Sequence, residues 1–234
     1  MNSDLAGDFR LVAMDLRGHG LSEKPREGYA DSRLWADDVD AAIRALGLDH
    51  PILSGWSYGP LVILDYIRHY GEDGIGGAHF IGGITKLGSD EALSVITPAF
   101  LELLPGFFAT DVEASVGSLA SLLRLCFARQ PSDEELYLML GYCVSVPPYV
   151  RQAMFSRSFD NDDLLRKLRK PLLITQGSAD AIVKRAAVDQ HKASVAHARI
   201  EMMPNAGHAA FWDDAAGFNR QLRAFSEGLG QGGR

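Results

Sequence analysis

A strand-to-helix junction within residues 51–70 constrains the fold of this chain most strongly. The apolar run Pro51-Ile52-Leu53 leads into Gly55-Trp56-Ser57-Tyr58-Gly59, and a further apolar segment begins at Leu61. A serine flanked by glycines at this spacing suits a sharp turn that holds the hydroxyl out of the fold, because neighbouring backbone passes too close for a Cβ atom. A surface turn with a solvated serine has the same residues, so the pattern alone is weak. Ser57 is therefore a candidate nucleophile that its context must support.

Short apolar runs alternate with helical patterns on both sides of this junction. We predict strands at 9–16, 51–57, 79–85, 171–175 and 199–203, and helices at 31–46, 58–70, 184–196 and from Asp213 or Asp214 onward. This alternation predicts an α/β fold with a doubly wound, mostly parallel sheet that helices cover on both faces. The last five residues, 230–234, are glycine-rich and are expected to fray.

The alternation stops between residues 88 and 168, where we predict helices and no strand. Two amphipathic helices begin at possible capping boxes, Thr110-x-x-Glu113 and Ser132-x-x-Glu135. We therefore divide the chain into a core, residues 1–87 and 169–234, and a helical insertion, residues 88–168. Five apolar side chains of the insertion suit either an apolar acyl site or ordinary packing between helices: Phe100, Leu101, Leu104, Phe107 and Phe108.

Composition narrows the classes of partner and cofactor. The chain has 234 residues, is 47% hydrophobic and carries a formal charge of −7, which disfavours nucleic acid or an anionic membrane as the main partner. Cys126 and Cys143 lack a CxxC pattern or a histidine at metal-binding spacing, so we expect reduced, apolar cysteines and no metal site. The start of the chain, 1–4, lacks a signal peptide, and no apolar run approaches a membrane span. These features predict a cytoplasmic protein.

Two further residues complete a possible nucleophilic site. A serine hydroxyl needs a base to take its proton and a group to orient that base. Asp180 follows the predicted strand 171–175, and His208 follows the predicted strand 199–203. Because the carboxyl ends of parallel strands meet at one crevice, we expect both side chains to lie near Ser57. Taken alone, the aspartate would suit a turn and the histidine an ordinary structural position.

In this order and context, the motifs resemble those of the α/β-hydrolase superfamily, and the resemblance covers nearly the whole chain. Gly55-Trp56-Ser57-Tyr58-Gly59 is similar to its nucleophile elbow, 177–180 to its acid turn and Gly207-His208 to its histidine loop. Residues 15–22 resemble its D-x-R-G-x-G-x-S segment. The helical insertion falls where the superfamily has its lid. Gly18-His19-Gly20 could also belong to a dinucleotide-binding fingerprint, but the third glycine of that fingerprint would fall at Glu23, so we reject this alternative. For His19 and Ser22 we expect structural turn contacts.

The resemblance implies a role for each matching residue. Ser57 would attack an acyl carbonyl, His208 would act as general base and then general acid, and Asp180 would orient the imidazole. The backbone N–H of Tyr58 would bind the oxyanion, and the side chains of Trp56 and Tyr58 are candidates to contact the substrate. Serine at the elbow argues against the dehalogenase and epoxide-hydrolase branches. Neither a metal nor an organic cofactor is needed.

The expected activity is hydrolysis of a small ester or related acyl substrate. The same triad also serves cofactor-free haloperoxidases or perhydrolases, lactonases, carbon–carbon bond hydrolases and aminopeptidases, and the motifs do not separate these. A hypothesis of another class is a non-catalytic binding module that keeps the triad without a working oxyanion hole.

This chain departs from the superfamily pattern at the start of its sequence. The superfamily has a strand ending in a His-Gly loop before the D-x-R-G-x-G segment, and this loop supplies a second oxyanion donor. Only eight residues precede Phe9, so we predict that these N-terminal strands and the loop are absent and that activity is weakened. The absent strand would lie between 9–16 and 51–57. Either these two strands pair directly, or a neighbouring molecule fills the gap, or the sheet is incomplete, with an exposed edge that favours self-association.

Overall fold

The computed structural model describes residues 3–231 and has a four-stranded parallel sheet at its centre. The strands are β1 (Ile52–Trp56), β2 (Gly77–Ile81), β3 (Lys86–Leu87), β4 (Phe159–Asp160), β5 (Leu172–Gly177) and β6 (Arg199–Met203). The sheet has the strand order β1-β2-β5-β6, with register pairs such as Ser54 with His79 and Ile174 with Ile200. A separate two-stranded antiparallel ribbon joins β3 to β4.

Helices connect and cover these strands. The core helices are α1 (Ser32–Ala45), α2 (Gly59–Tyr70), α10 (Ala186–Ser194), α11 (Ala210–Asp213) and α12 (Ala215–Gln231). The insertion contains α3 (Asp90–Ser94), α4 (Pro98–Leu101), α5 (Leu104–Phe107), α6 (Val112–Cys126), α7 (Asp133–Val144), α8 (Pro148–Phe155) and α9 (Asp162–Leu165). A short 3₁₀ helix, Asp4–Gly7, precedes them.

The two central strands are buried on both faces, as the doubly wound prediction requires. All residues of β2 and β5 are buried. Ala78 and Phe80 pack in one hydrophobic cluster with residues of α2 and α10, whereas Ile81 packs in another with Phe218 of α12. Because successive side chains of a strand point to opposite faces, helices cover both sides of the sheet. The predicted α/β fold class is confirmed.

The prediction of a strand at 9–16 is wrong. Residues 12–15 are exposed, and no backbone–backbone hydrogen bond involves residues 10–15 within the described chain. β1 pairs only with β2, so the direct pairing of 9–16 with 51–57 does not occur. Residues rich in β-branched and apolar side chains become a strand only where a neighbouring strand takes up their backbone hydrogen bonds. The outer edge of β1 is open.

Several boundaries also differ from the sequence predictions. The strand predicted at 79–85 is β2, which spans Gly77–Ile81. It ends there because Gly82 takes a positive φ of 50° and turns the chain. The insertion contains one short strand, β4, where no strand was predicted. It pairs with β3 and so brings the beginning and the end of the insertion together. Asp111 rather than Thr110 caps α6, with its carboxylate accepting from the Ala114 N–H. The capping box of Ser132 and Glu135 is confirmed.

Other features of the described residues bear on the sequence predictions. Cys126 and Cys143 are both free thiols, as predicted, and burial raises the pKa of each. None of the helices described is both long enough and apolar enough to cross a membrane. The residues expected to fray, 230–234, lie largely outside the described part of the chain, as do Met1 and Asn2.

Candidate active site

Asp180 and His208 form a buried hydrogen-bonded pair. His208 Nδ1 lies 2.9 Å from Asp180 Oδ2, and each side chain is only 2% exposed. Asp180 Oδ1 also accepts from the backbone N–H groups of Ile182 and Val183, at 2.8 and 2.9 Å. Gln176 Nε2 donates to Oδ2 at 2.6 Å. The carboxylate is thus fixed by several donors, and it holds one orientation of the imidazole.

The turns that carry Asp180 and His208 touch through their backbones. A Cβ atom at Gly177 would lie 2.1 Å from the carbonyl oxygen of Gly207, so only glycine fits there. The Ala179 N–H donates to the Ala206 carbonyl at 2.9 Å. Gly82 makes a similar close approach from β2, because its Cβ would lie 3.0 Å from His208 Nδ1. Sequence reasoning missed Gly82, which lies inside the strand predicted at 79–85, although the glycine pair Gly82-Gly83 within that run was a usable signal.

Ser57 occupies the turn between β1 and α2. Its φ is +58°, which is uncommon for a residue with a side chain and marks a strained turn. A Cβ at Gly55 would lie 2.5 Å from the carbonyl carbon of Gly59, so the chain folds back on itself closely. The Ser57 N–H donates to the Ile81 carbonyl at 2.9 Å and ties the turn to β2. Within the described residues the hydroxyl makes no hydrogen bond and is not locked to a structural partner.

Trp56 links this turn to His208. Its indole Nε1 donates to the backbone carbonyl of His208 at 2.9 Å. The two rings lie 5.2 Å apart at 43°, and Phe211 contacts the indole edge-on at 5.2 Å. The residue before Ser57 therefore positions the loop of His208. This contact brings the serine turn beside the Asp180–His208 pair, although no hydrogen bond from His208 to the Ser57 hydroxyl occurs in the part of the chain described.

Tyr58 anchors the insertion to the start of α2. Its hydroxyl donates to the Met154 carbonyl at 3.2 Å and accepts from Arg157 Nη1 at 3.1 Å. Its ring packs between Trp35 and Phe155, and burial raises its pKa to about 12. Its backbone N–H has no hydrogen-bond partner among the described residues. It stands at the N-terminal end of α2, where the helix dipole is positive.

Asp213 holds the histidine loop against the insertion. Its carboxylate accepts from the backbone N–H groups of Gly207, at 2.7 Å, Ala128, at 3.1 Å, and Arg129, at 2.8 Å. The sequence suggested Asp213 or Asp214 as a helix cap. Asp214 has this role, since its Oδ1 accepts from the Gly217 N–H at 2.8 Å. The function of Asp213 depends on residues far away in sequence, and no local pattern indicates it.

The segment 15–22 makes turn contacts, as predicted for His19 and Ser22. His19 Nδ1 lies 3.1 Å from the Arg17 carbonyl oxygen, and Ser22 Oγ donates to the Asp15 carbonyl at 2.7 Å. Gly18 approaches Val150 of α8 so closely that a Cβ would lie 2.4 Å from that side chain. The segment therefore lies under the insertion.

Aromatic rings of the insertion gather around Phe155 of α8. Its ring lies 6.2 Å from Phe100, 5.5 Å from Phe107, 5.6 Å from Phe108 and 6.3 Å from Tyr58. Phe100 and Phe107 are buried. The sequence suggested either an apolar acyl site or ordinary packing between helices for these phenylalanines. Phe100 and Phe107 pack between helices. The cluster also touches the residue next to Ser57.

No group of three or more metal-binding side chains occurs among residues 3–231. The site consists of a strained serine turn, a buried Asp180–His208 pair and an unpaired N–H at a helix start. These groups suit proton transfer to and from an attacking hydroxyl and stabilisation of a developing oxyanion.

A parallel sheet with a serine turn after β1 and a hydrogen-bonded Asp180–His208 pair in the loops after β5 and β6 is typical of one class of proteins. The chain belongs to the α/β-hydrolase fold family, whose sequence profile matches residues 1–215. An esterase from Rhodococcus sp. is 35% identical, with a TM-score of 0.89 over 97% of this chain and 83% of that one. An α/β-hydrolase superfamily protein of Bacillus subtilis is 29% identical over 93% of this chain and 81% of its own length.

Another relative is a non-heme haloperoxidase of Rhodococcus erythropolis, 27% identical over 94% of this chain and 82% of its own length. These similarities support hydrolase activity for the chain.

Proposed function

We propose that this protein is a serine esterase that cleaves small acyl esters through Ser57, His208 and Asp180. The observation that carries the proposal is the buried 2.9 Å pair of His208 and Asp180, joined through Trp56 to the strained turn of Ser57. Similarity to an esterase with 35% identity supports the same activity.

In the first half of the reaction, Ser57 Oγ attacks the ester carbonyl while His208 takes the hydroxyl proton. The tetrahedral oxyanion is stabilised by the N–H of Tyr58 and by the positive end of α2. His208 then gives its proton to the leaving alcohol, and an acyl-enzyme remains. Asp180 stabilises the imidazolium that exists between these two transfers.

In the second half, water replaces the alcohol. His208 removes a proton from the water molecule as it attacks the acyl-enzyme, and then returns a proton to Ser57 Oγ. The products are a carboxylic acid and the free enzyme. Each proton taken by His208 is returned, so no external acid or base is consumed.

The decisive experiment measures hydrolysis of short 4-nitrophenyl esters by the wild-type protein and two variants. Ser57→Ala should lower kcat at least about a thousandfold, because the nucleophile is removed. The control, Ser54→Ala, alters an exposed serine three residues earlier and should keep wild-type rates. Turnover that survives in Ser57→Ala would exclude Ser57 as the nucleophile.

A fluorophosphonate probe tests the non-catalytic alternative. Covalent labelling at Ser57 in the wild-type protein supports an assembled site, whereas folded protein that stays unlabelled supports a binding module.

Haloperoxidase-type chemistry is a second candidate, because the Rhodococcus erythropolis relative is a non-heme haloperoxidase. Here hydrogen peroxide would attack the acyl-enzyme instead of water and release a peracid. Peracid formation with added peroxide and an acyl donor, lost in Ser57→Ala, would support it.

A further inference from the structure

The insertion contains a buried arginine whose charge has no carboxylate partner among residues 3–231. Arg151 of α8 is 4% exposed, and its Nη2 donates to Ser115 Oγ at 2.8 Å. Its Nε and Nη1 atoms are buried and have no hydrogen-bond partner. Its guanidinium carbon lies 5.2 Å from the centre of the Phe107 ring. Among the described residues, no carboxylate forms an ion pair with it.

Burying an unpaired charge is strongly unfavourable, and arginine cannot escape the cost by losing its proton. Burial does lower the pKa of Arg151, but from a value far above neutrality. The second buried arginine of this region, Arg157, is compensated, because its Nη2 donates to Asp65 at 2.6 Å. Arg151 differs from Arg157 in lacking a carboxylate partner among the described residues, so an anion bound from outside would supply the missing charge.

The position of Arg151 relates this unpaired charge to the active site. Arg151 and Phe155 are four residues apart on α8, so their side chains share one helix face, and their positions lie about 6 Å apart along the axis. The Phe155 ring contacts Phe107 and also Tyr58, the residue that follows Ser57. The guanidinium therefore lies about one helical turn beyond the ring that touches the serine turn.

We propose that Arg151 binds the carboxylate at the far end of the acyl chain, so that the substrates are monoesters of dicarboxylic acids. This inference rests on the proposed esterase function. One guanidinium charge is balanced by one carboxylate, whereas a phosphate group would bring an excess of negative charge. The aromatic rings between Arg151 and Tyr58 suit the methylene segment of such an acyl chain.

The test compares two esters that differ in one terminal group, 4-nitrophenyl hydrogen adipate and 4-nitrophenyl hexanoate. We expect the wild-type kcat/KM to favour the adipate ester at least about tenfold. In Arg151→Met this ratio should fall to about one or below, mainly through KM. The matched control, Arg124→Met, removes an exposed arginine of the same insertion and should keep the wild-type ratio. A wild-type preference for hexanoate, or an adipate preference that survives in Arg151→Met, would overturn the proposal.

A binding measurement separates this proposal from the esterase proposal. Calorimetric titration of Ser57→Ala with adipate, against hexanamide as the neutral control, needs no turnover. We expect adipate binding that Arg151→Met abolishes and Arg151→Lys partly restores, in protein whose melting curve shows it to be folded. If Ser57→Ala still hydrolyses esters, the esterase mechanism is wrong while the titration remains valid. If adipate fails to bind wild-type Arg151 protein, the carboxylate site is wrong whatever Ser57 does.

Discussion

Arg157 and Asp65 form a buried ion pair that fastens the insertion to α2. Arg157 Nη2 donates to Asp65 Oδ2 at 2.6 Å, and the two side chains are 1% and 5% exposed. Arg157 Nη1 also reaches the hydroxyl of Tyr58, the residue after Ser57. The pair therefore connects the end of α8 to the helix that begins at the candidate nucleophile.

Removing one partner of this pair should be costly. Arg157→Met leaves the Asp65 carboxylate buried without a counter-ion, and we expect a loss of about 3–5 kcal/mol in the free energy of unfolding. Arg157→Met/Asp65→Leu should recover most of this loss, since no charge remains. Urea denaturation of the two variants at pH 7.5 measures both values. The control is Arg166→Met, which breaks an exposed pair with Asp162 and should cost less than about 1 kcal/mol. An equally small cost for Arg157→Met would contradict the prediction.

Alanine substitution should lower activity at Gly55 but not at Gly59. The Cβ of Gly55→Ala would lie 2.5 Å from the Gly59 carbonyl carbon, so the turn must open and Ser57 must move. We expect esterase kcat/KM to fall at least about a hundredfold, since small misplacements of a catalytic group have effects of this size. Nothing lies within 4 Å of a Cβ at Gly59, so Gly59→Ala should keep activity and stability close to wild type. Equal activity of the two variants in a 4-nitrophenyl ester assay would be inconsistent with a close-packed turn.

Asp180→Asn should damage catalysis more than folding. The amide cannot orient the imidazole as the carboxylate does, and an equivalent change in a related triad arrangement lowers kcat by about 10⁴. Steady-state kinetics at pH 7.5 should show this loss in kcat, with a smaller change in KM. Asp189→Asn is the control, because Asp189 is exposed on α10 with only a distant ion pair to Arg185. Asp180→Asn with wild-type kcat would remove Asp180 from the mechanism.

Acid should destabilise the protein partly through His191. Burial lowers the pKa of His191 to about 4 from its ordinary value near 6.5. Between these values the unfolded chain binds a proton that the folded chain excludes, so stability falls as the pH falls through this window. At pH 5 this effect of His191 lowers the free energy of unfolding by about 2 kcal/mol.

The comparison of wild type with His191→Leu isolates this term. Burial also lowers the pKa of His79, to about 3, which acts in the same direction, whereas the pKa of Asp65 is raised to about 6 and acts oppositely. We expect the free energy of unfolding of His191→Leu to fall less between pH 7 and pH 5 than that of wild type. Urea titrations at several pH values measure the difference, and parallel curves would disprove the assignment.

Local sequence patterns predicted the elements whose stability depends on their own residues. The helix predicted at 31–46 is α1 (Ser32–Ala45), Ser132 and Glu135 form the predicted capping box of α7, and the strand at 199–203 has the predicted bounds. Hydrophobic periodicity and capping act within a few residues, so a sequence records them directly. The strand prediction at 9–16 failed because a strand also needs a neighbour, which no local pattern supplies.

The sequence by itself determined the α/β fold class, the order of the candidate residues Ser57, Asp180 and His208, and the need for glycine at position 55. The close backbone approach expected at Gly59 is wrong, because nothing lies within 4 Å of a Cβ there. Only the tertiary structure decided which groups meet. Trp56 donates to the carbonyl of His208, Asp213 joins the histidine loop to the insertion, and Arg151 is buried without a counter-ion from the described residues. These relationships join residues distant in sequence, and their energies depend on burial and on partner geometry, which exist only once the chain has folded.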